Sequence, residues 1–252
     1  MQRASEPPRW TRFPRIRSVV AVEGHPDDVE LSALGTLIKL REHGTRITIV
    51  SVTDGGGGSY YDRDLSRSIA EIRAKEASAV ASRLGGEWLT LGATDAYLYD
   101  TPELRARLAS VLRRAKCDLV LAPPPTDYHY DHMNAGQLAF SAAYYAQVGG
   151  PEVEGTPLAQ TPAVYYFDSI MGLEFDPAFY VDISPVIDQK KELAGLHQSQ
   201  MANMKAIGGW TLVEYIEIVG RFRGLQSGVA YAEGFRSATR WPRVRALEAF
   251  PA

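Results

Sequence analysis

The chain has 252 residues, 45% of them hydrophobic and 23% charged, proportions of an ordinary globular protein that exclude a disordered chain, a collagen or a coiled coil. Lys plus Arg at 27 against Asp plus Glu at 30 gives a net charge of −3, which speaks against a nucleic-acid binder and for a small-molecule substrate. Cys117 is the single cysteine, which rules out an intrachain disulfide and favours a cytoplasmic location.

Residues 1–17 carry Arg3, Arg9, Arg12, Arg15 and Arg17, with Glu6 and the Pro7-Pro8 pair, and lack the apolar stretch of a secretory signal. They are expected to form an N-terminal arm ahead of a single domain over 18–252. No apolar run approaches the ~20 residues needed to cross a bilayer, so no membrane span is expected. Ser18-Val19-Val20-Ala21-Val22 and Ile47-Thr48-Ile49-Val50-Ser51-Val52 are apolar, β-branched runs separated by a helical pattern ending at Gly44. Further strands are expected over 88–91 and 118–122, with helices over 66–84 and 102–115. Segment 149–162 reads as a connection. Beyond it lie strands over 163–167 and 179–183 and a helix opened by Pro185 that runs to about Gln200. This alternation predicts an α/β, Rossmann-like three-layer fold with a mainly parallel sheet, whose ligands collect at the carboxyl ends of the strands.

Two clusters sit at such ends. Gly24-His25-Pro26-Asp27-Asp28 follows the first strand. Pro and Asp are ordinary helix openers, but capping needs no histidine, whereas imidazole and carboxylate together suit a divalent ion. Pro123-Pro124-Pro125-Thr126-Asp127-Tyr128-His129-Tyr130-Asp131-His132 follows the fourth strand. Three of the chain's five histidines therefore fall in two loops that the topology brings to one edge, and a metal site explains this better than chance.

The two motifs, His25-Pro26-Asp27-Asp28 and His129-Tyr130-Asp131-His132, resemble the signatures of the LmbE-like, or PIG-L, family of zinc-dependent N-acetylglucosamine deacetylases. Arg73-Ala74-Lys75-Glu76-Ala77, Leu91-Gly92-Ala93-Thr94-Asp95 and Tyr180-Val181-Asp182-Ile183 are similar to further segments of that family, so the likeness covers most of 18–200. His197-Gln198-Ser199-Gln200 and Tyr231-Ala232-Glu233-Gly234-Phe235 look like its bacillithiol-pathway branch.

The resemblance implies His25, Asp28 and His132 as zinc ligands, with ferrous iron as the alternative ion. It implies Asp27 as general base and His129 as the group facing the developing oxyanion. The chemistry agrees: three protein ligands leave one position for water, and the base takes its proton. Asp131 is expected to raise the pKa of His129 and orient its ring. Arg73 is expected to reach the sugar or an attached acid, the plain alternative being an exposed ion pair with Glu76. Asp95, Tyr128 and Tyr130 are the remaining expected substrate contacts, although an Asp in such a loop is commonly only a turn former.

Gly55 to Gly58, where many members carry a glutamate near Gly56, lacks the Lys-Ser/Thr of a nucleotide loop and reads as a flexible border of the pocket. Cys117 reads as inert packing, and His43 and His197 as structural. The expected activity is hydrolysis of an N-acetylglucosamine-type acetamide to acetate and a free amine, by a homo-oligomer. An amidase for another N-acyl amino sugar or natural-product conjugate, and a non-catalytic metal-holding protein, are the competing readings.

Overall fold

The computed structural model describes residues 16–58, 66–150 and 152–239, so the expected arm lies outside it apart from Ile16 and Arg17. Among the described residues, strands β1 (Ser18–Glu23), β2 (Arg46–Thr53), β3 (Glu87–Ala93), β4 (Leu119–Ala122), β5 (Ala163–Phe167), β6 (Phe179–Asp182) and β7 (Ala232–Ser237) form one sheet ordered β3-β2-β1-β4-β5-β7-β6. The first five are mutually parallel, and β7 runs antiparallel to both β5 and β6.

β1 is buried along its whole length and shows how the layers form. Val19 and Ala21 point into a core with Leu34, Leu37, Leu193 and Ile216, while Val20 and Val22 pack with Leu108, Leu112, Leu138 and Ala142 on the opposite face. A strand apolar on both faces needs helices on both, which yields the expected three-layer fold. One layer holds α1 (Asp28–Ser32), α2 (Leu34–Glu42), α3 (Ser66–Leu84), α6 (Ile187–Ala194), α7 (Gln198–Gly208) and α8 (Leu212–Ser227). The other holds α4 (Pro102–Ala115) and α5 (Tyr130–Val148). None of the described helices is long and apolar enough to cross a membrane. Cys117 is buried, and burial pushes its thiol up to about 12.

Three features depart from the sequence reading. The crossover after β1 is two helices broken at Ala33, not one. The break gives α2 its own N-terminus, whose Gly35 and Thr36 N–H groups donate to the buried Glu233 carboxylate at 2.8 and 2.7 Å. Lys190 Nζ neutralises that carboxylate at 2.7 Å. The helix expected from Pro185 to Gln200 is a 3-10 turn (Ser184–Val186), then α6 and α7, with the break at 195–197 placing His197 in the interior. β7 was not expected as a strand. It carries Glu233 in the core and Gly234 where a Cβ would lie 2.7 Å from Pro177 Cγ, so it lacks an apolar, β-branched signature.

Replacing Glu233 with alanine removes the acceptor for the α2 amides and leaves Lys190 buried without its counter-charge. Chemical denaturation of the E233A variant is expected to show a loss of ~3–5 kcal/mol; a loss below ~1 kcal/mol would mean that Glu233 does not anchor α2.

Candidate active site

The strand order reverses between β1 and β4, where the chain proceeds outward to β2 and β3 on one side and to β5 on the other. Such a reversal opens a crevice at the carboxyl ends, because the two departing loops diverge. Into it come residues 24–28 after β1 and 123–132 after β4. The loops after β2 (54–58) and β3 (94–101) flank it.

His25, Asp28 and His132 converge. His25 Nδ1 lies 3.1 Å from His132 Nε2, His132 Nε2 lies 3.3 Å from Asp28 Oδ1, and His25 Nδ1 lies 3.7 Å from Asp28 Oδ2. Donors bound at 2.0–2.1 Å to a tetrahedral ion are separated by roughly 3.3–3.4 Å, so this trio fits one small dication. Each imidazole is held on its other nitrogen by carboxylate: His132 Nδ1 by Asp127 Oδ1 at 3.1 Å, and His25 Nε2 by Asp131 Oδ2 at 3.2 Å and Asp95 Oδ1 at 3.1 Å. Metal-binding histidines are oriented in this way.

Two alternative groupings, His25 with His129 and His132, and His25 with Asp95 and Asp131, also bring donors within 4.8 Å of one another. In the latter the carboxylates are already engaged. Asp131 accepts from the Ala96 and Leu98 N–H groups and Asp95 from Gly57 N–H, which makes them supports of the ring.

Burial opposes charge on His25, but Asp131, Asp28 and Asp95 outweigh it and hold its pKa well above the ordinary imidazole value. Asp28 is held well below the carboxylate range because His132 and His25 overcome its burial.

Asp27 lies beside this trio with φ 154° and ψ −13°, a backbone conformation unusual for a residue with a side chain. Its carboxylate accepts from Arg73 Nη2 at 2.8 Å, and the same guanidinium donates to Pro26 and Gly55 carbonyls. Burial pushes the Asp27 carboxyl up, against the opposing effect of Arg73. Arg73 is only 3% exposed. Its described contacts thus differ from both expectations: it is neither open toward a sugar nor paired with Glu76, which accepts from Ser199 N–H and hydroxyl instead.

His129 and Asp131 also differ from expectation. The Asp131 carboxylate serves His25 and the 94–101 loop, and only its backbone N–H meets His129, donating to Nδ1 at 3.2 Å. Burial, then His25 and His132, hold the His129 pKa below its ordinary value; the Asp131 charge pushes it up as expected but is outweighed. With Nδ1 accepting from the Asp131 N–H, a neutral His129 ring carries its proton on Nε2, which places an N–H donor there.

Tyr128 stands edge-on to His129 and His132, with ring centroids 5.8 and 5.7 Å away, and Tyr130 stands edge-on to Tyr99 at 6.4 Å. The glycine run approaches its neighbours closely at Gly55 and Gly58. Gly55 has φ +69°, and a Cβ on Gly58 would lie 2.4 Å from Arg73 Nη1. Here glycine serves close approach, not loop freedom.

Sequence reasoning missed Asp127, which holds His132, and the buried pair of Glu30 and His197, 3.2 Å apart and next to Asp27 in the electrostatics of the site. Asp127 had a signal, its place five residues before a metal-directed histidine. The Glu30 and His197 pairing is long-range and had none.

A sheet-edge crevice that gathers two imidazoles, a carboxylate and a second buried acid defines an α/β protein with a candidate metal site. Residues 20–143 match the family described as PIG-L: GlcNAc-PI de-N-acetylase. The chain is 30% identical over 237 residues to the diacetylchitobiose deacetylase of Thermococcus kodakarensis, spanning 89% of this chain and 84% of that protein. The chain belongs to the PIG-L, or LmbE-like, family. The N,N'-diacetylchitobiose deacetylase of Pyrococcus horikoshii is similar in structure with TM-score 0.77 and 27% identity, over 88% of this chain and 84% of that one. GalB, the 4-carboxy-2-hydroxymuconate hydratase of Pseudomonas putida KT2440, is similar with TM-score 0.76 and 25% identity, over 93% and 100%. The likeness in sequence is thus to a diacetylchitobiose deacetylase and not to the bacillithiol-pathway branch expected from residues 197–200 and 231–235.

Asp127→Asn keeps the shape of the side chain that meets His132 Nδ1 but removes its charge. Its metal affinity, read by chelator competition, is expected to fall about 10–100-fold; unchanged affinity would detach Asp127 from the metal-directed set.

Proposed function

We propose that this protein is a metal-dependent N-deacetylase that hydrolyses the acetamide of an N-acetylglucosamine-type sugar, giving acetate and a free amine. The observation that carries this reading is the set of donors on His25, Asp28 and His132, 3.1–3.7 Å apart, with the Asp27 carboxylate held alongside by Arg73. Zinc is the proposed ion. Two histidines and one carboxylate serve ferrous iron equally well as a donor set.

When bound, the ion supplies a Lewis acid that lowers the pKa of water toward ~7 and polarises an amide carbonyl. The chain supplies the rest. Asp27 takes the proton from the attacking water and returns it to the departing amine, and a carboxyl raised by burial is better matched to both transfers than an ordinary one. The Nε2–H of His129 donates to the carbonyl oxygen as its charge grows, with the tautomer held by Asp131 N–H at Nδ1. Asp95 and Asp131 hold His25, Asp127 holds His132, and Arg73 holds Asp27. The protein is proposed to work in the cytoplasm as a homo-oligomer. The single buried thiol and the exposed apolar stripe of Ile218, Phe222 and Leu225 along α8 support that setting.

Metal-loaded protein incubated with N-acetylated amino sugars is expected to release free amine, and Asp27→Asn to lower kcat/KM by about 10²–10⁴-fold at equal metal content. Release of no amine from any member would remove the deacetylase reading. Metal-dependent addition of water to an unsaturated carboxylic acid in the same preparations would favour hydratase chemistry of the GalB kind. Equal turnover by both proteins would remove Asp27 from its role.

A further inference from the structure

Four tyrosines stand around the crevice with most of their surface in solvent: Tyr97 is 70% exposed, Tyr99 61%, Tyr128 60% and Tyr130 61%. Large aromatic side chains left this open beside a polar site mark a binding surface. Their presentation is built into the site. The Ala96 and Leu98 N–H groups donate to the two oxygens of Asp131, the carboxylate that also holds His25, and Leu98 is 1% exposed. An inward residue between two outward ones turns Tyr97 and Tyr99 out together. In the other loop, half-buried His129 does the same for Tyr128 and Tyr130. The loops meet where the Tyr99 and Tyr130 rings stand 6.4 Å apart at 68°.

The charges of these loops limit what such a surface can take. Residues 94–101 and 123–130 contain Asp95, Asp100 and Asp127 and no lysine or arginine. The nearby Arg105 is joined to Asp100 at 2.8 Å. Neither loop offers a cation of its own to a phosphate or carboxylate. Phenol rings suit the C–H faces of a pyranose and their hydroxyls suit its edges, with no charge needed on the ligand.

Resting on the deacetylase reading above, we infer that the rim of Tyr97, Tyr99, Tyr128 and Tyr130 is a subsite for a second sugar ring. The substrate class is then an uncharged or amine-bearing β-linked acetamido-sugar oligomer, with one acetamide at the metal-directed set and the neighbouring pyranose against the Tyr99–Tyr130 pair.

The test uses the full chain loaded with metal, as wild type, Tyr99→Ala, Tyr130→Ala and the double variant. Free amine is followed from N-acetylglucosamine and from N,N'-diacetylchitobiose, and binding of the fully deacetylated dimer and monomer is followed by calorimetry. Wild type is expected to favour the acetylated dimer at least ~10-fold in kcat/KM, and each single variant to reduce that preference about 10-fold through KM, with a parallel loss of dimer binding. A wild-type preference near one, or equal losses on both sugars, would overturn the subsite. A change of oligomeric state in the variants by sedimentation would also overturn it, making the rim an interface between copies of the chain. If neither acetylated sugar yields amine but the deacetylated dimer binds with the same tyrosine dependence, the subsite stands and the deacetylase reading falls.

Discussion

Two imidazole nitrogens that face each other at 3.1 Å, His25 Nδ1 and His132 Nε2, are the constraint on which the site depends. They come from residues 107 positions apart, and only the adjacency of β1 and β4 brings them together. Two ring nitrogens at this distance cannot both offer lone pairs to each other. Either one carries a proton or a cation lies between them, and Asp28 at 3.3 Å from His132 turns the pair into a three-donor set. Asp127, Asp131 and Asp95 then close the outer nitrogens, which leaves little freedom for either ring to turn.

The second layer of the site has its own logic. Glu23, Asp27, Asp28, Glu30 and Asp131 are all buried near one another, and desolvating so many carboxylates is costly unless each is compensated. Glu23 is satisfied by Val29 N–H and the Ser51 hydroxyl, and burial holds its carboxyl well up. Glu30 has His197 beside it, and Asp27 has Arg73. Arg73 is in turn seated by the Gly55 carbonyl and by the absence of a Cβ on Gly58. The unusual backbone of Asp27 persists because hydrogen bonds on both sides of it are satisfied: its N–H donates to His25 C=O at 2.9 Å, and Arg73 grips the Pro26 carbonyl and the Asp27 carboxylate.

The layer order and the placing of both histidine-bearing loops at one sheet edge were legible because their signals are local. β-branched runs, Gly44 after a helical pattern, and histidines just beyond strand ends all report on their own neighbourhoods. Helices 66–84 and 102–115 appear with the bounds that periodicity predicts. What was not legible depends on partners distant in sequence. The fracture of the first crossover at Ala33 is matched by Glu233, some two hundred residues later, which accepts from the freed α2 amides. The turning of Arg73 toward Asp27 follows from a glycine strap between them, and Asp131 is diverted from His129 to His25 by the loop after β3.

This division also explains why the motifs speak for a reaction and are silent on the rest of the ligand. His25, Asp27, Asp28 and His132 lie at buried loop stems, where strand ends, helix starts and neighbouring carboxylates fix each rotamer. The exposed tips of the same loops carry less of that burden: Tyr97, Tyr99 and Tyr130 have most of their surface in solvent, while Tyr128 also stands edge-on to His132. On the proposed reading, reaction chemistry is thereby separated from recognition within loops of fewer than about ten residues. Asp131 joins the two, since one carboxylate both steadies His25 and sets the backbone that presents Tyr97 and Tyr99. A fold with this arrangement can exchange its ligand surface while keeping the donor geometry, so likeness at the stems reports the chemistry and the tips must be read in each chain separately.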